Sequence, residues 1–121
     1  MVKITPIKEN HLFSRVYAKG KKASEKNVSV YALRNYWSGV TMLGITTGKK
    51  LGSAVQRSRA RRLIREAYRR ASDGKTWKKP FWIVIVARSP ITRKDRKMQD
   101  VLSDLDKAFA KLELFAGETE T

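Results

Sequence analysis

The chain has 121 residues, 41% of them hydrophobic, with 27 Lys and Arg against 11 Asp and Glu, a formal net charge of +16, no Cys and a single His. This length predicts one domain with a real core. The composition excludes disulfides and thiolate metal sites, and one histidine cannot supply a conventional zinc ligand set. A field this positive repels copies of itself and calls for a polyanionic partner. Nucleic acid is the first candidate and an anionic membrane surface the second, but no apolar run approaches the roughly 20 residues of a membrane span. The N-terminal "MVKITPIKEN" lacks the apolar segment of a signal peptide, so a cytoplasmic location is expected.

Residues 10–19, "NHLFSRVYAK", read as a short helix with Leu12, Phe13, Val16 and Tyr17 on one face, and Gly20 follows as a stop. Residues 21–27 are polar and predict a turn with a short edge strand. In "VSVYALRNY" (28–36), Val28, Val30 and Ala32 alternate with Ser29, Tyr31 and Leu33, the pattern of a strand with two different faces. "WSG" reads as a turn and "VTMLGITT" (40–47) as the next strand, which together predict an antiparallel hairpin. "GKKLG" (48–52) is a basic loop between glycines, and Ser53 is placed to cap a helix over about 53–71. "FWIVIVAR" (81–88) is apolar at both parities and predicts a central strand covered on both faces. The last helix, about 94–113, carries a core stripe through Met98, Val101, Leu102, Leu105, Ala108, Phe109 and Leu112. Asp100, Asp104 and Asp106 on that helix read as a solvated face with no metal role. The predicted architecture is an α/β (α+β) single-domain sandwich, order α-β-β-β-α-β-α, with a mixed four-stranded sheet. The domain is expected over 1–115, with 116–121 a frayed tail.

On a helical wheel stepped at about 100° per residue, Ala60, Leu63, Ile64, Ala67, Tyr68 and Ala71 gather in one sector. Arg59, Arg61, Arg62, Arg65, Arg69 and Arg70 fill the remainder, with Glu66 among them, while Arg57 sits near the edge of the apolar sector. A solvated helix face ordinarily mixes signs at i, i+4. Here Arg57, Arg61, Arg65 and Arg69 form a like-charged series. From Lys49 to Arg70 there are nine Lys or Arg and one acid, a net +8. Arginine's planar fork suits phosphate, and the helix N-terminus beside Gly48 and Gly52 adds its own positive end. Loop and helix together predict an anion-binding ridge.

These residues carry a resemblance. "KKLGSAVQRSRARRLIREAYR" resembles the signature of the bacterial ribonuclease P protein component: Lys49, Lys50, Gly52, Ala54, Val55, Arg57-Ser58-Arg59 and Arg62-Leu63-Ile64-Arg65. "IKENHLFSRVYAKGK", "VSVYAL" and "IVIVARSP" match further parts of the family in the same order. Ser58 stands where the family has the Asn of an Arg-Asn-Arg motif, and Ser53 where an Asn is common.

The resemblance implies a mixed sheet with helices and a left-handed βαβ crossover. It also implies the protein subunit of a ribonucleoprotein that removes the 5′ leader of precursor tRNA, with catalysis by the RNA subunit and Mg²⁺ held mainly by that RNA. By this resemblance Lys49, Lys50, Arg57, Arg59, Arg61, Arg62, Arg65 and Arg69 face the catalytic RNA. Phe13, Tyr17 and Tyr31 line a cleft for the precursor-tRNA leader, single-stranded nucleic acid being held by aromatic platforms in basic grooves. No catalytic residue and no metal ligand is expected in the chain itself. Neither membrane nor DNA is an expected partner, since a helix-turn-helix reader needs a second helix a short turn away and strand-like residues flank the arginine helix. The alternative is a basic RNA-binding structural protein of the ribosomal type.

Overall fold

The computed structural model describes residues 3–117. In chain order it has α1 (Asn10–Lys19), β1 (Lys21–Ser24), β2 (Val28–Arg34), β3 (Met42–Thr46), α2 (Ala54–Ser72), β4 (Phe81–Ala87) and α3 (Met98–Leu112). Short 3₁₀ turns at Lys49–Leu51 and Ser89–Thr92 precede α2 and α3. The expected element order is the observed one. The last helix begins four residues later than its apolar spacing predicts, because the polar turn at 94–97 occupies the start of that range.

The four strands form one mixed sheet in the order β1-β2-β4-β3. The apolar β4 lies in its interior, antiparallel to β2 and parallel to β3. One face of the sheet packs against α2 and α3 through Val28, Val30, Ala32, Ile83 and Ile85. The other packs against α1, where Trp82 and Val84 meet Leu12, Val16 and Ile7. β2 alternates as expected, with Val28, Val30 and Ala32 on the first face and Tyr31 and Leu33 on the second.

The hairpin expected between residues 28–36 and 40–47 does not form. β4 inserts between the two strands, since a segment apolar on both sides gains most in the sheet interior. The connecting loop straddles the start of β4. Asn35 N–H donates to the Pro80 carbonyl at 2.8 Å, and Phe81 N–H to Thr41 Oγ1 at 3.2 Å. Parallel β3 and β4 are then joined through α2, which covers their shared face.

Asp104 does not belong to a solvated face. It is buried, and its Oδ2 accepts from Asn27 N–H at 2.8 Å and Asn27 Nδ2 at 2.9 Å. This pins α3 to the turn that leads into β2, while Asp106 stays exposed. At the chain end, Trp77 and Phe115 form a bridge and Ala116 N–H donates to the Thr76 carbonyl at 2.8 Å. Of the expected tail, 118–121 lie outside the described residues.

Candidate nucleic-acid interface

The cationic ridge is built by a well-specified helix start. Gly52 has φ +131°, a left-handed value, and a Cβ there would run into the Gln56 side-chain oxygen. That oxygen instead accepts from Ser53 N–H at 2.9 Å, while Ser53 Oγ accepts from Gln56 N–H at 3.2 Å. The reciprocal pair is a capping box that fixes where α2 begins, directly after Lys49 and Lys50. Both lysines are exposed.

The wheel partition is realised. Ala60, Ile64, Ala67, Tyr68 and Ala71 are buried, and burial pushes the Tyr68 hydroxyl pKa up. Arg61, Arg62, Arg65 and Arg70 are exposed. Glu66 lies 3.8 Å from Arg69 and 3.7 Å from Arg70, so its charge is shared by those two. Among the described residues Arg61, Arg62 and Arg65 have no carboxylate partner, and Arg61 donates to Thr47 Oγ1 at 2.6 Å.

The remaining arginines are set differently. Arg59 is half-buried and donates to the Arg93 carbonyl at 3.4 Å and to the Arg96 carbonyl, bracing α2 against the segment before α3. Arg57 is also half-buried, and its Nε has no hydrogen-bond partner among the described residues. Ser58 is exposed.

The three aromatic candidates come together on the α1 face. Tyr17 and Tyr31 meet edge to face with centroids 5.0 Å apart, and Lys22 Nζ lies 5.4 Å from the Tyr31 ring. The Tyr17 hydroxyl is 2.9 Å from Thr46 Oγ1. Phe13 lies directly over the backbone of β3, where a Cβ on Gly44 would stand 2.6 Å from two of its ring carbons. Glycine is therefore what lets the ring settle on the strand. Tyr17 is 39% exposed, and Phe13 and Tyr31 are half-buried. Phe13 and Tyr31 pack against the cluster of Leu12, Val16, Trp82 and Val84, and Tyr17 reaches it through Tyr31.

Ridge and aromatic face lie on opposite sides of the sheet, yet one cavity joins them around the β3 edge. Residues 5–7 run along that edge as a short parallel addition, with Leu43 N–H donating to Thr5 O at 2.8 Å and Ile7 N–H to Leu43 O at 2.9 Å. Beside them a cavity of about 370 Å³ is lined by Pro6, Phe13 and Gly44 on one side and by Arg61, Arg65 and Arg69 on the other. A strand of nucleic acid can stack on the rings and place its phosphates on the guanidiniums without crossing the core. The sequence did not reveal this junction, because nothing local to residues 3–9 signals that they add to the sheet edge.

His11 is exposed and 3.2 Å from Glu9. Among the described residues no group of three or more His, Cys, Asp or Glu is placed to hold a metal ion. Among them, too, no helix is long and apolar enough to cross a membrane.

Comparison with known proteins points to a family by sequence and by fold. A family model described as Ribonuclease P matches residues 1–113. A ribonuclease P protein component of Clostridioides difficile is 39% identical over 95 residues, covering 78% of this chain and 80% of the relative. One from a Thermoanaerobacter species is 33% identical over 115 residues, 95% of each chain. The solved RNase P protein of Staphylococcus aureus superposes with a TM-score of 0.78 at 29% identity, covering 93% of this chain and 99% of that one. The RNase P protein of Thermotoga maritima, at 24% identity and a TM-score of 0.70, shares the fold.

Proposed function

This chain belongs to the ribonuclease P protein component family and is a subunit of that tRNA-processing ribonuclease, and we propose how its surfaces serve that role. Lys49, Lys50 and the outward arginines of α2, chiefly Arg61, Arg62 and Arg65, dock on phosphates of the catalytic RNA. Arg59 holds α2 in position for them, with Arg57 and Arg69 at the margins of the same surface. Phe13, Tyr17 and Tyr31 take the single-stranded 5′ leader of precursor tRNA, stacking its bases while Lys22 meets its backbone. The RNA subunit carries out the cleavage and holds the Mg²⁺ ions, whose chemistry is to activate the attacking water and stabilise the leaving oxygen. The protein contributes affinity and alignment, and works in the cytoplasm.

The observation that carries this reading is the cavity at the β3 edge, which puts Phe13 and three arginines of α2 on one continuous path. A protein that only filled space within a larger RNA would need the arginines but not the partly exposed rings beside them. The test compares precursor tRNA with mature tRNA, each bound to holoenzyme reconstituted from this protein and a bacterial ribonuclease P RNA. Replacing Tyr31 by Ala is expected to weaken the precursor by about fivefold or more, the lower end of base-on-ring stacking, and to leave mature tRNA nearly unchanged. Equal losses for both would remove Tyr31 from the leader path.

A further inference from the structure

β3 ends at Thr46, and Thr47 follows it directly. Side chains alternate between the two faces along the strand. Leu43 and Ile45 join the core cluster under α2 and α3, and Gly44 lies under Phe13 on the α1 face. The alternation carries on through the two threonines. On the α1 face the Thr46 hydroxyl is 2.9 Å from the Tyr17 hydroxyl. On the α2 face Thr47 Oγ1 accepts from an Arg61 Nη2 N–H at 2.6 Å. Thr46 is in register with Val86 of β4, so the sheet holds the backbone that carries the two hydroxyls. One short stretch of chain therefore touches an aromatic of the cleft on one side and an arginine of the ridge on the other.

We propose that Thr46 and Thr47 are positioning residues, Thr46 setting the Tyr17 ring for the leader and Thr47 aiming Arg61 at a phosphate of the catalytic RNA. The inference rests on the RNA-binding reading of those two surfaces, and its test separates the two. Thr47 is 9% exposed and shares a row with Leu43 and Ile45, where a fully apolar side chain would bury more apolar surface. A hydroxyl in that row is stabilised by the bond it accepts. The kind of acceptor matters. Glu66 lies beside Arg69 and Arg70, and its carboxylate offsets their charge. A neutral hydroxyl orients Arg61 and leaves its whole charge and its other donors for a phosphate. An arginine already held in place gives up less side-chain freedom when RNA binds. Tyr17 is held in the same manner. Its hydroxyl meets Thr46, its ring meets Tyr31 with centroids 5.0 Å apart, and 39% of the residue stays exposed. Because ring and guanidinium are fixed to neighbouring residues, the end of β3 sets the distance between the leader path and the docked phosphate.

The test uses the full chain with a bacterial ribonuclease P RNA. Affinity for that RNA is measured across a salt range, and the reconstituted holoenzyme is then compared on precursor and mature tRNA. Thr47→Val keeps the branched shape and removes the acceptor. It should weaken RNA binding about threefold to tenfold, the cost of ordering one freed arginine, and keep the salt slope because the charge remains. Thr47→Ser should recover most of the loss. In an Arg61→Ala background Thr47→Val should cause no further loss, a result that a general packing defect would not give. Thr46→Val should lower the preference for precursor over mature tRNA about threefold, and Thr46→Ser should restore it. Tyr17→Phe should reproduce the Thr46→Val loss, and the two together should lose no more. Should either valine variant fail to fold, Thr46→Ala or Thr47→Ala takes its place in the same cycle. Equal losses from Thr47→Val with and without Arg61, or full RNA affinity in Thr47→Val beside a weakened Arg61→Ala, would overturn the inference while leaving the ridge intact. An unchanged precursor preference in Thr46→Val beside a reduced one in Tyr31→Ala would overturn it while leaving the cleft intact. An Arg61→Ala protein that binds the RNA as wild type does would remove Arg61 from the ridge and overturn the inference with it.

Discussion

Arg61→Ala, Arg62→Ala and Arg65→Ala, combined, probe the ridge most sharply, because these three guanidiniums are exposed and carry no carboxylate partner among the described residues. Each phosphate contact to a duplex contributes about 0.9 to the slope of log affinity against log salt, so three lost contacts should flatten that slope by about 2.7. Between ~50 mM and ~200 mM salt, a fourfold change, the affinity gap between wild type and the triple variant should therefore shrink by about fortyfold. The assay is filter binding or anisotropy of a bacterial ribonuclease P RNA across that salt range. Arg59→Ala is the matched control. Its guanidinium is already committed to the Arg93 and Arg96 carbonyls, so its loss should cost about 1–2 kcal/mol of folding stability and change the slope by less than one contact. Parallel salt slopes for wild type and the triple variant would place the phosphate contacts elsewhere on the protein.

Two further changes test the fold that carries the ridge. Asp104→Ala strips the acceptor from two buried donors of Asn27 and should lower stability by about 3 kcal/mol in urea unfolding. A loss under about 1 kcal/mol would mean that the α3 anchor contributes little. Tyr68, whose burial raises its pKa above the usual value of about 10, keeps its proton in the fold when the unfolded chain has lost it. Its contribution is complete below about pH 10 and declines as pH rises further, so wild type should lose more stability than Tyr68→Phe between about pH 9 and about pH 11. Parallel stability curves for the two would refute the assignment.

Much of the molecule is legible in its sequence because the relevant patterns are local. The arginine and apolar sectors of α2 follow from a 3.6-residue period, and the unbroken apolar run of β4 announces a strand covered twice. The alternation in β2 correctly turns Tyr31 away from Val28 and Val30. What the sequence hides is settled by partners distant in the chain. The polar spacing of Asp104 is indistinguishable from that of Asp106 until Asn27 is brought against it. Arg59 looks like its outward neighbours until the carbonyls of Arg93 and Arg96 arrive. A short turn between two strands argues for a hairpin, and only the packing of β4 reveals that they are separated. The cavity at the β3 edge arises from residues 4–7, 13, 43–45 and α2 together, which no single window contains.

The central claim is that this protein assists an RNA catalyst rather than cleaving RNA itself. Purified protein, a bacterial ribonuclease P RNA and precursor tRNA, combined at low Mg²⁺, provide the most direct measurement. RNA alone should cleave slowly, the protein alone not at all, and the two together much faster, releasing an intact 5′ leader. Cleavage by the protein alone, or no stimulation of the RNA by the protein, would contradict the account.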